Sequence, residues 1–184
     1  AALGDVWGRS GRDIFAAVAG GGVLHYNGTD WQLQQDAPTV PLVSLSGSEG
    51  AGVYALGPEG RLFHYEGELW DEIQTPTTES LVDLWVSEQN EVVVIGSGRH
   101  VYHFDGGEWR SYDRPGVEPL SAVWGAGGRN VFAVGRDGAI EHFDGNTWRA
   151  FPSLTKWPLQ GVRGTGPERI YAVGAVGTIL RYSP

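Results

Sequence analysis

The sequence repeats itself with a period of 39 residues along its whole length. Tryptophan recurs at Trp31, Trp70, Trp109 and Trp148, and leucine at Leu3, Leu42, Leu81, Leu120 and Leu159. Three further apolar columns keep this spacing: Val6, Leu45, Leu84, Val123 and Val162; Ile14, Val53, Val92, Val131 and Ile170; Tyr26, Tyr65, Phe104, Phe143 and Tyr182. Recurrence without an insertion indicates a repeat protein. The units are 3–41, 42–80, 81–119, 120–158 and the partial unit 159–184. Equivalent residues of the five units share a repeat position, which is numbered by the residue of the first unit; Leu42, for example, is at repeat position 3.

Within each unit the apolar residues alternate with a period of two, which is typical of β-strands. The fourth unit has four such segments, bounded by glycine, asparagine, aspartate or proline: Leu120–Gly125, Asn130–Gly135, Ala139–Asp144 and Thr147–Phe151. The third and fourth segments are joined by Asn27-Gly28, Glu66-Gly67, Asp105-Gly106 and Asp144-Gly145. Such dipeptides predict tight type I′ hairpins. Each unit is therefore predicted to be a four-stranded antiparallel meander, with strands a to d in chain order.

Four-stranded units of about 40 residues are the signature of a β-propeller, in which the units pack as blades around a channel. A single small sheet cannot bury both of its faces, whereas a sheet with a like neighbour on each side can. We therefore predict an all-β fold: a β-propeller of five blades that forms one domain over residues 1–184. The column of Leu3 and Val6 belongs to strand a, nearest the axis. The tryptophan column belongs to strand d, where we expect it to be buried at the blade periphery.

The fifth unit lacks its outermost strand within the sequence. No residues after Tyr182 correspond to 29–39 of the first unit, so the edge of strand c, residues 178–182, is predicted to lie open. An open strand edge pairs readily with another strand. Thr178, Leu180 and Tyr182 are therefore candidate binding residues for a protein partner or partner strand. The alternative is a short or truncated last blade.

The charge balance argues against several kinds of partner. The 184 residues carry 13 basic and 22 acidic side chains, a formal net charge of −9. Nucleic-acid binding and docking on anionic lipid both need a basic surface, so neither is expected. No apolar run approaches the roughly 18 residues of a membrane span, so membrane insertion is not expected either. The chain has no Cys, and its glycine clusters match no nucleotide-binding motif, so no cofactor is predicted.

Histidine forms a column of its own at His25, His64, His103 and His142. Four histidines suggest zinc, but equivalent positions on adjacent blades are about 10 Å apart or more. That spacing is far beyond metal–nitrogen bond lengths of about 2 Å. We therefore predict no metal site and expect each histidine to form a hydrogen bond near its hairpin.

Two carboxylates share repeat position 5 on strand a, those of Asp5 and Asp83. In a ring of five blades they could face each other across the channel, and paired carboxylates are what glycoside hydrolysis requires. No third catalytic group accompanies them. We therefore predict that the protein is not an enzyme, and a glycoside hydrolase remains a third hypothesis. Asp5 and Asp83 are candidate binding residues, expected to solvate the channel or a turn.

The connections from strand d to the next strand a vary most among the units. In the connection after unit four, Trp157 stands next to Lys156 and departs from the tryptophan column. An exposed aromatic ring beside polar groups can hold a sugar ring or a peptide. Trp157 and Lys156 are therefore candidate binding residues. The alternative for Trp157 is that it fills a gap between blades four and five.

The fourth unit shows the repeat motif most fully: Val123-Trp124-Gly125, Val131-Phe132-Ala133-Val134-Gly135, Ile140-Glu141-His142-Phe143-Asp144-Gly145, then Trp148. This motif resembles the short-repeat propellers of secreted and surface proteins of myxobacteria. It is more loosely similar to photosystem II assembly-factor propellers and to tachylectin-like five-bladed lectins. The resemblance covers essentially all of the chain and implies the scaffold, which does not by itself assign a function.

These features predict a non-enzymatic binding or scaffold module that docks a protein partner through a rim or through the open edge of blade five. The alternative is a lectin that binds glycans between blades near the aromatic positions. The resemblance implies an exported bacterial protein, located outside the cell, at its surface or in the periplasm. The chain also lacks Met, so we expect Ala1 to follow a removed Met or leader, or to open an excised fragment.

Overall fold

A computed structural model describes residues 2–182, which form β1 to β19 in five antiparallel sheets. Blade one contains β1 (Leu3–Ser10), β2 (Asp13–Val18), β3 (Val23–Tyr26) and β4 (Trp31–Leu33). Blade two contains β5 (Ser44–Ser48), β6 (Gly52–Leu56), β7 (Leu62–Tyr65) and β8 (Trp70–Ile73). Blade three contains β9 (Leu81–Val86), β10 (Val92–Gly96), β11 (His100–Phe104) and β12 (Trp109–Asp113). Blade four contains β13 (Leu120–Gly125), β14 (Val131–Gly135), β15 (Ile140–Phe143) and β16 (Trp148–Ala150). Blade five contains β17 (Leu159–Gly164), β18 (Ile170–Gly174) and β19 (Ile179–Tyr182).

The first four sheets have the strand order a-b-c-d, and the fifth has the order a-b-c. The predicted all-β architecture of five blades, with a three-stranded fifth blade, is thereby confirmed. The four segments predicted in unit four agree with β13 to β16 to within one residue at each end. Residues 1, 183 and 184 of the predicted domain lie outside the described residues. Within 2–182, no helix is long and apolar enough to cross a bilayer.

The turns between strands c and d differ from the predicted type I′ geometry. Their glycines have positive φ angles between +91° and +112°: Gly28, Gly67, Gly106 and Gly145. The residue before each glycine does not have a positive φ. Instead, Asn27 Oδ1 accepts hydrogen bonds from the N–H groups of Thr29 and Asp30, each at 3.0 Å. Asp105 and Asp144 repeat this arrangement. The side chain therefore closes a longer turn, which explains the preference for asparagine or aspartate there.

A β-bulge in strand a explains why the leucine and valine columns, three residues apart, share one face of the blade. Strict alternation would place repeat positions 3 and 6 on opposite faces. In blade four the pairing register shifts between Leu120 and Ala122, and blades one, three and five have the equivalent shift. The extra residue returns repeat position 6 to the face of position 3. As a result, Leu120 and Val123 pack in one hydrophobic cluster.

Strand a lies innermost in each blade, as predicted. The five strands a contact one another in sequence order, from β1 to β5, β9, β13 and β17. Residues from all five line a cavity of about 430 Å³. Repeat positions 4 and 5 of every unit contribute to its lining.

Four hydrophobic clusters join the blades in series: one to two, two to three, three to four and four to five. Among residues 2–182, no such cluster joins blade five to blade one, and β17 makes no comparable contact with β1. The five blades thus form an arc whose two ends do not pack against each other. We call the gap between blades five and one the open side.

The tryptophan column is buried only in part. Each ring packs on the aromatic ring of strand c in its own blade, with ring centroids 5.2–5.5 Å apart. Trp148 is buried, Trp70 and Trp109 are half-buried, and Trp31 is 48% exposed. The prediction of a buried column is therefore wrong for Trp31, because in the described part of the chain no blade precedes blade one.

Candidate binding surface on blade five

Each blade has two faces that take different partners. The leading face, at repeat positions 15, 17 and 23, packs on the following blade. The trailing face, at positions 3, 6 and 14, packs on the preceding blade. Between blades three and four, for example, Val93 and Ile95 of the leading face meet Leu120 and Val123 of the trailing face. Because four interfaces share this arrangement, the repeat positions on a face indicate whether it packs on the following or on the preceding blade.

Blade five exposes its leading face to the open side. In blades one to four, the residues at repeat positions 15 and 17 are at most 3% exposed. Their equivalents in blade five, Tyr171 and Val173, are 43% and 46% exposed, and Ile179 is 70% exposed. Blade one exposes its trailing face, where Leu3 and Val6 also lie largely in solvent. The open side is therefore bounded by two apolar surfaces with the composition of a blade interface.

A contact between strands a also changes at blade five. The indole of Trp85 lies so close to Gly125 of the next blade that a Cβ there would be 2.7 Å from the ring. Where Ser46 replaces the tryptophan, Val86 replaces the glycine of the following blade, so the sizes compensate within the pair. Blade five has Arg163 at this repeat position, and its guanidinium donates hydrogen bonds to backbone carbonyls instead.

The open edge predicted for blade five is the free edge of β19. Among the described residues, β19 pairs only with β18. Leu180 and Tyr182 face blade four and are half-buried in the cluster between blades four and five. Thr178 precedes the strand, and its N–H donates to the carbonyl of Ala175. The candidate side chains therefore hold β19 against blade four, while its backbone edge and the exposed Ile179 remain for contact.

A groove of about 320 Å³ lies beside β19, and we call it the edge groove. Its walls include Phe151 and Leu154 of blade four and Leu180 and Tyr182 of blade five. The lining side chains are predominantly apolar, and Arg181 is the one charged residue among them within the part of the chain described. Such a concave apolar site suits a large hydrophobic side chain.

In two other blade interfaces the equivalent space holds a strand-d tryptophan. The Trp70 indole Nε1 donates to Oε1 of Gln34 of blade one at 2.8 Å. Trp148 packs in one cluster with Tyr112 of blade three. Gln34 and Tyr112 share a repeat position with Phe151, which lines the edge groove. The edge groove is therefore the space that a tryptophan on a fourth strand of blade five would occupy.

The carboxylates of Asp5 and Asp83 are joined through one hydroxyl. Ser44 Oγ lies 3.2 Å from Asp5 Oδ2 and 2.7 Å from Asp83 Oδ1. Asp5 also accepts the N–H of Leu45 at 2.7 Å, and Asp83 accepts the N–H of Val123 at 2.9 Å. Each of the four carboxylate oxygens accepts at least one hydrogen bond. The two carboxylates thus link neighbouring strands a to one another. They are not two isolated acids that face each other across the channel.

Burial raises the pKa of Asp83 above its ordinary value. The hydrogen bonds from the Val123 N–H and from Ser44, and the charge of Arg163, oppose this rise without cancelling it. Desolvation dominates because Asp83 is only 8% exposed, on a strand enclosed by its neighbours.

The histidine column serves packing and hydrogen bonding. Three members contact a polar group near the start of strand b: His25 with Asp13 at 2.6 Å, His64 with the Ala51 carbonyl at 2.7 Å, and His142 with Asn130 at 2.8 Å. The predicted hydrogen bond is confirmed for these three. His103 Nε2 is buried without a hydrogen-bond partner, and burial lowers the pKa of this imidazole. Within 2–182, no group of three or more His, Asp or Glu side chains could hold a metal ion.

Trp157 and Lys156 lie in the connection between β16 and β17, and both are exposed. The backbone N–H of Trp157 donates to Thr155 Oγ1 at 3.0 Å. With 54% of its surface in solvent, Trp157 does not fill a gap between blades four and five. Leu154 of the same connection lines the edge groove, whereas Trp157 and Lys156 do not. The structure therefore separates these two candidates from the groove.

Sequence reasoning also missed a buried ion pair between blades three and four. Arg114 Nη2 lies 2.9 Å from Glu141 Oε1, and the two side chains are 1% and 2% exposed. The same guanidinium donates to the carbonyl of Glu118 at 2.6 Å. Glu141 occupies repeat position 24, which is apolar or aromatic in every other unit. A charged residue in an apolar column was the available signal. Tyr171 and Val173 were missed because their columns are buried in every other blade, and Ile179 because its column is buried in blades one to three.

No family model and no curated protein matches the chain. Solved structures match its fold. The structure of YCF48 bound to D1 peptide is 18% identical, with a TM-score of 0.75 over 97% of this chain and 63% of that chain. The WD40 β-propeller domain of Doa1 is 10% identical, with a TM-score of 0.77 over 98% of this chain and 64% of that chain. The structure of U3-55K is 10% identical, with a TM-score of 0.79 over 98% of this chain and 61% of that chain.

These similarities establish the β-propeller fold, and at such identities they establish the fold alone. The predicted resemblance to photosystem II assembly-factor propellers is matched in fold by YCF48. The resemblances to myxobacterial propellers and tachylectin-like lectins stay predictions. The chain spans about three-fifths of the length of each matched structure.

Proposed function

We propose that the protein is a non-enzymatic scaffold that binds a protein partner by adding a strand of that partner to the edge of β19. The observation that carries the proposal is the outer edge of β19, unpaired within residues 2–182, beside an exposed apolar face. In blade four the equivalent edge is paired, with Phe143 of β15 opposite Trp148 of β16. A segment that pairs with an open edge gains main-chain hydrogen bonds, and pockets beside the edge select its side chains.

The exposed leading face of blade five supports a contact larger than one strand. Tyr171 and Val173 project from the sheet that β19 terminates, at positions buried in blades one to four. Ile179 lies opposite Val173, at a position buried in blades one to three. Adjacent apolar side chains in solvent are typical of interaction surfaces. A partner strand on β19 would lie next to them, and its own fold could cover them.

The comparisons lend this proposal general support. Two of the matched structures are described as a peptide complex of YCF48 and a WD40 propeller domain of Doa1. YCF48 is thus a protein of the same fold that binds a peptide. For the present chain, peptide binding is the proposal, and the open edge of blade five is its proposed place.

Selection from a display library of random 12-residue peptides tests the proposal. Enriched peptides should lose affinity for an Ile179→Lys variant, because a lysine on an edge strand disfavours the addition of another strand. Val117→Lys is the matched control, since Val117 is 66% exposed on another blade connection. Binding should also slow hydrogen exchange at the backbone amides of β19.

The proposal fails if no peptide is enriched, or if the selected peptides bind the Ile179→Lys variant as tightly as the unchanged protein. Slowed exchange confined to another edge would also overturn it. Ile179 lies largely in solvent, so the lysine substitution should leave the fold intact, and far-UV circular dichroism verifies this.

A further inference from the structure

We infer that the edge groove is a tryptophan site: the strand that binds β19 places an indole against both Phe151 and Tyr182 and an acidic side chain opposite Arg181. This inference rests on the proposed strand addition and names the side chains that the added strand must carry. It gives the partner a chemical description, an extended acidic segment in which tryptophan is followed by aspartate or glutamate.

The strand register places the tryptophan. In all four complete blades the first residue of strand d is a tryptophan directly opposite the last aromatic residue of strand c, as in Tyr65 opposite Trp70. Tyr182 occupies this position at the end of β19. A strand added in the same antiparallel register therefore presents one residue opposite Tyr182. In the complete blades the two rings lie 5.2–5.5 Å apart, a distance typical of aromatic pairs.

The groove provides the second wall for the indole. In the complete interfaces, the tryptophan also meets the residue of the preceding blade at the repeat position of Phe151. Phe151 already packs against Tyr182, with ring centroids 5.5 Å apart, so both walls stand in place before anything binds. The volume of about 320 Å³ is at the lower end for ligand pockets, which suits one large side chain.

The next residue of the added strand faces Arg181. In blade two the residue after the tryptophan is Asp71, which lies opposite His64 of strand c. In blade five the strand-c residue at that repeat position is Arg181, whose side chain is exposed. Opposite charges directly across an antiparallel pair are favourable, whereas like charges are unfavourable. An aspartate or glutamate after the tryptophan therefore complements β19, and an arginine does not.

A second copy of this chain fits the groove less well. Its exposed strand-d tryptophan is Trp31, and the next residue, Gln32, has no charge to complement Arg181. The net charge of −9 on each chain also opposes self-association. The structure therefore favours a source of the strand other than a second copy of these residues.

Two peptides copied from this chain serve as matched probes for the unmodified protein. Residues 67–75 contain Trp70 followed by Asp71, and residues 145–153 contain Trp148 followed by Arg149. The 67–75 peptide should bind at least about tenfold more tightly than its Trp→Ala version, because buried tryptophans dominate such interfaces. It should also bind about two- to fivefold more tightly than the 145–153 peptide at low salt, with the difference shrinking at high salt. Isothermal titration calorimetry with each peptide supplies the dissociation constants.

An Arg181→Glu variant separates the charge from the groove. Because Arg181 is exposed, the variant should fold, keep its preference for tryptophan over alanine, and reverse the order of the 67–75 and 145–153 peptides. Equal binding of the tryptophan and alanine peptides overturns the tryptophan site. In that case a loss of binding on Ile179→Lys still supports strand addition, whereas unchanged binding there refutes both proposals. A particle of twice 19.9 kDa by light scattering that becomes monomeric on Trp31→Ala would assign the groove to a second copy and overturn the inference.

Discussion

Trp148→Ala should destabilise the protein by about 4 kcal/mol, and Trp31→Ala by about 2 kcal/mol. The two tryptophans share a repeat position, and each packs on a strand-c ring of its own blade. The centroid distance is 5.4 Å from Trp148 to Phe143 and 5.5 Å from Trp31 to Tyr26. They differ in their second neighbour, because Trp148 packs on blade three and Trp31 faces the open side. The comparison therefore isolates the contribution of one blade packing on another.

The magnitude follows from the area removed from water. A buried tryptophan covers about 150–250 Å² at about 25 cal/mol per Å², which gives about 4–6 kcal/mol. Truncation of large aromatic residues in cores costs about 3–5 kcal/mol, in agreement with this range. Trp148 is 6% exposed and loses nearly all of it, whereas Trp31 is 48% exposed and loses about half. The two variants should therefore differ by about 2 kcal/mol.

Urea unfolding followed by far-UV circular dichroism measures both variants, because this signal does not depend on the substituted indole. The quantity compared is the free energy of unfolding, with equal denaturant slopes as the control. If Trp31→Ala costs as much as Trp148→Ala, then the trailing face of blade one is packed in solution. That result would refute the description of the five blades as an open arc.

Three further predictions concern contacts inside the arc. Gly125→Ala should cost about 1–3 kcal/mol, because its Cβ would lie 2.7 Å from the Trp85 ring, while Gly8→Ala, which meets only its own blade, should cost less than about 1 kcal/mol. Glu141→Leu should cost about 3–5 kcal/mol, because it leaves the Arg114 guanidinium buried without its ion pair. The double variant Arg114→Ser with Glu141→Leu should recover most of that loss. Its two residues are those found at the same repeat positions in the next interface, Ser153 and Leu180. Asp83→Asn should alter the pH dependence of stability. Because the pKa of Asp83 is raised in the folded protein, the free energy of unfolding of the unchanged protein should fall as the pH rises from about 3.8 through that raised pKa. The variant should lose this dependence.

Each of these predictions has a defined contrary result. Equal losses for Gly125→Ala and Gly8→Ala in urea melts would mean that the Trp85 ring moves away without cost. If the double variant at Arg114 and Glu141 is no more stable than Glu141→Leu alone, the ion pair is not the reason for the loss. A matched pH series in which unchanged protein and Asp83→Asn stay parallel would show that burial does not perturb this carboxyl.

The regularity of the repeat made most of the fold predictable. A strict period with alternating apolar residues determines strands, blades and their order, because each column meets the same neighbours in every unit. The bulge in strand a was implicit in the spacing of Leu3 and Val6, which strict alternation does not allow on one face. The three strands of blade five within residues 2–182 were also evident from counting. These properties depend on local pattern, which the sequence displays directly.

The binding surface was less accessible from the sequence, because burial depends on which blade comes next. Tyr171 and Val173 belong to buried columns, and only the structure shows that nothing described packs on them. The same reason accounts for the wrong prediction that Trp31 is buried. Leu180 and Tyr182 were chosen for the open edge, yet their side chains face blade four, since the edge of a strand consists of backbone rather than of alternate side chains. The link from Asp5 to Asp83 depends on Ser44, whose role no spacing rule indicates.

The serial arrangement of the clusters determines how the folded state comes apart. Stability in such an array is approximately a sum of unit terms and nearest-neighbour terms, and a terminal unit has one neighbour where an internal unit has two. Blades one and five should therefore fray first, with fast amide exchange there and the slowest exchange in blades two to four. A ligand on β19 would add a second neighbour to one terminus only. Binding should therefore slow amide exchange in blade five to the rates of blades two to four, while amide exchange in blade one remains fast.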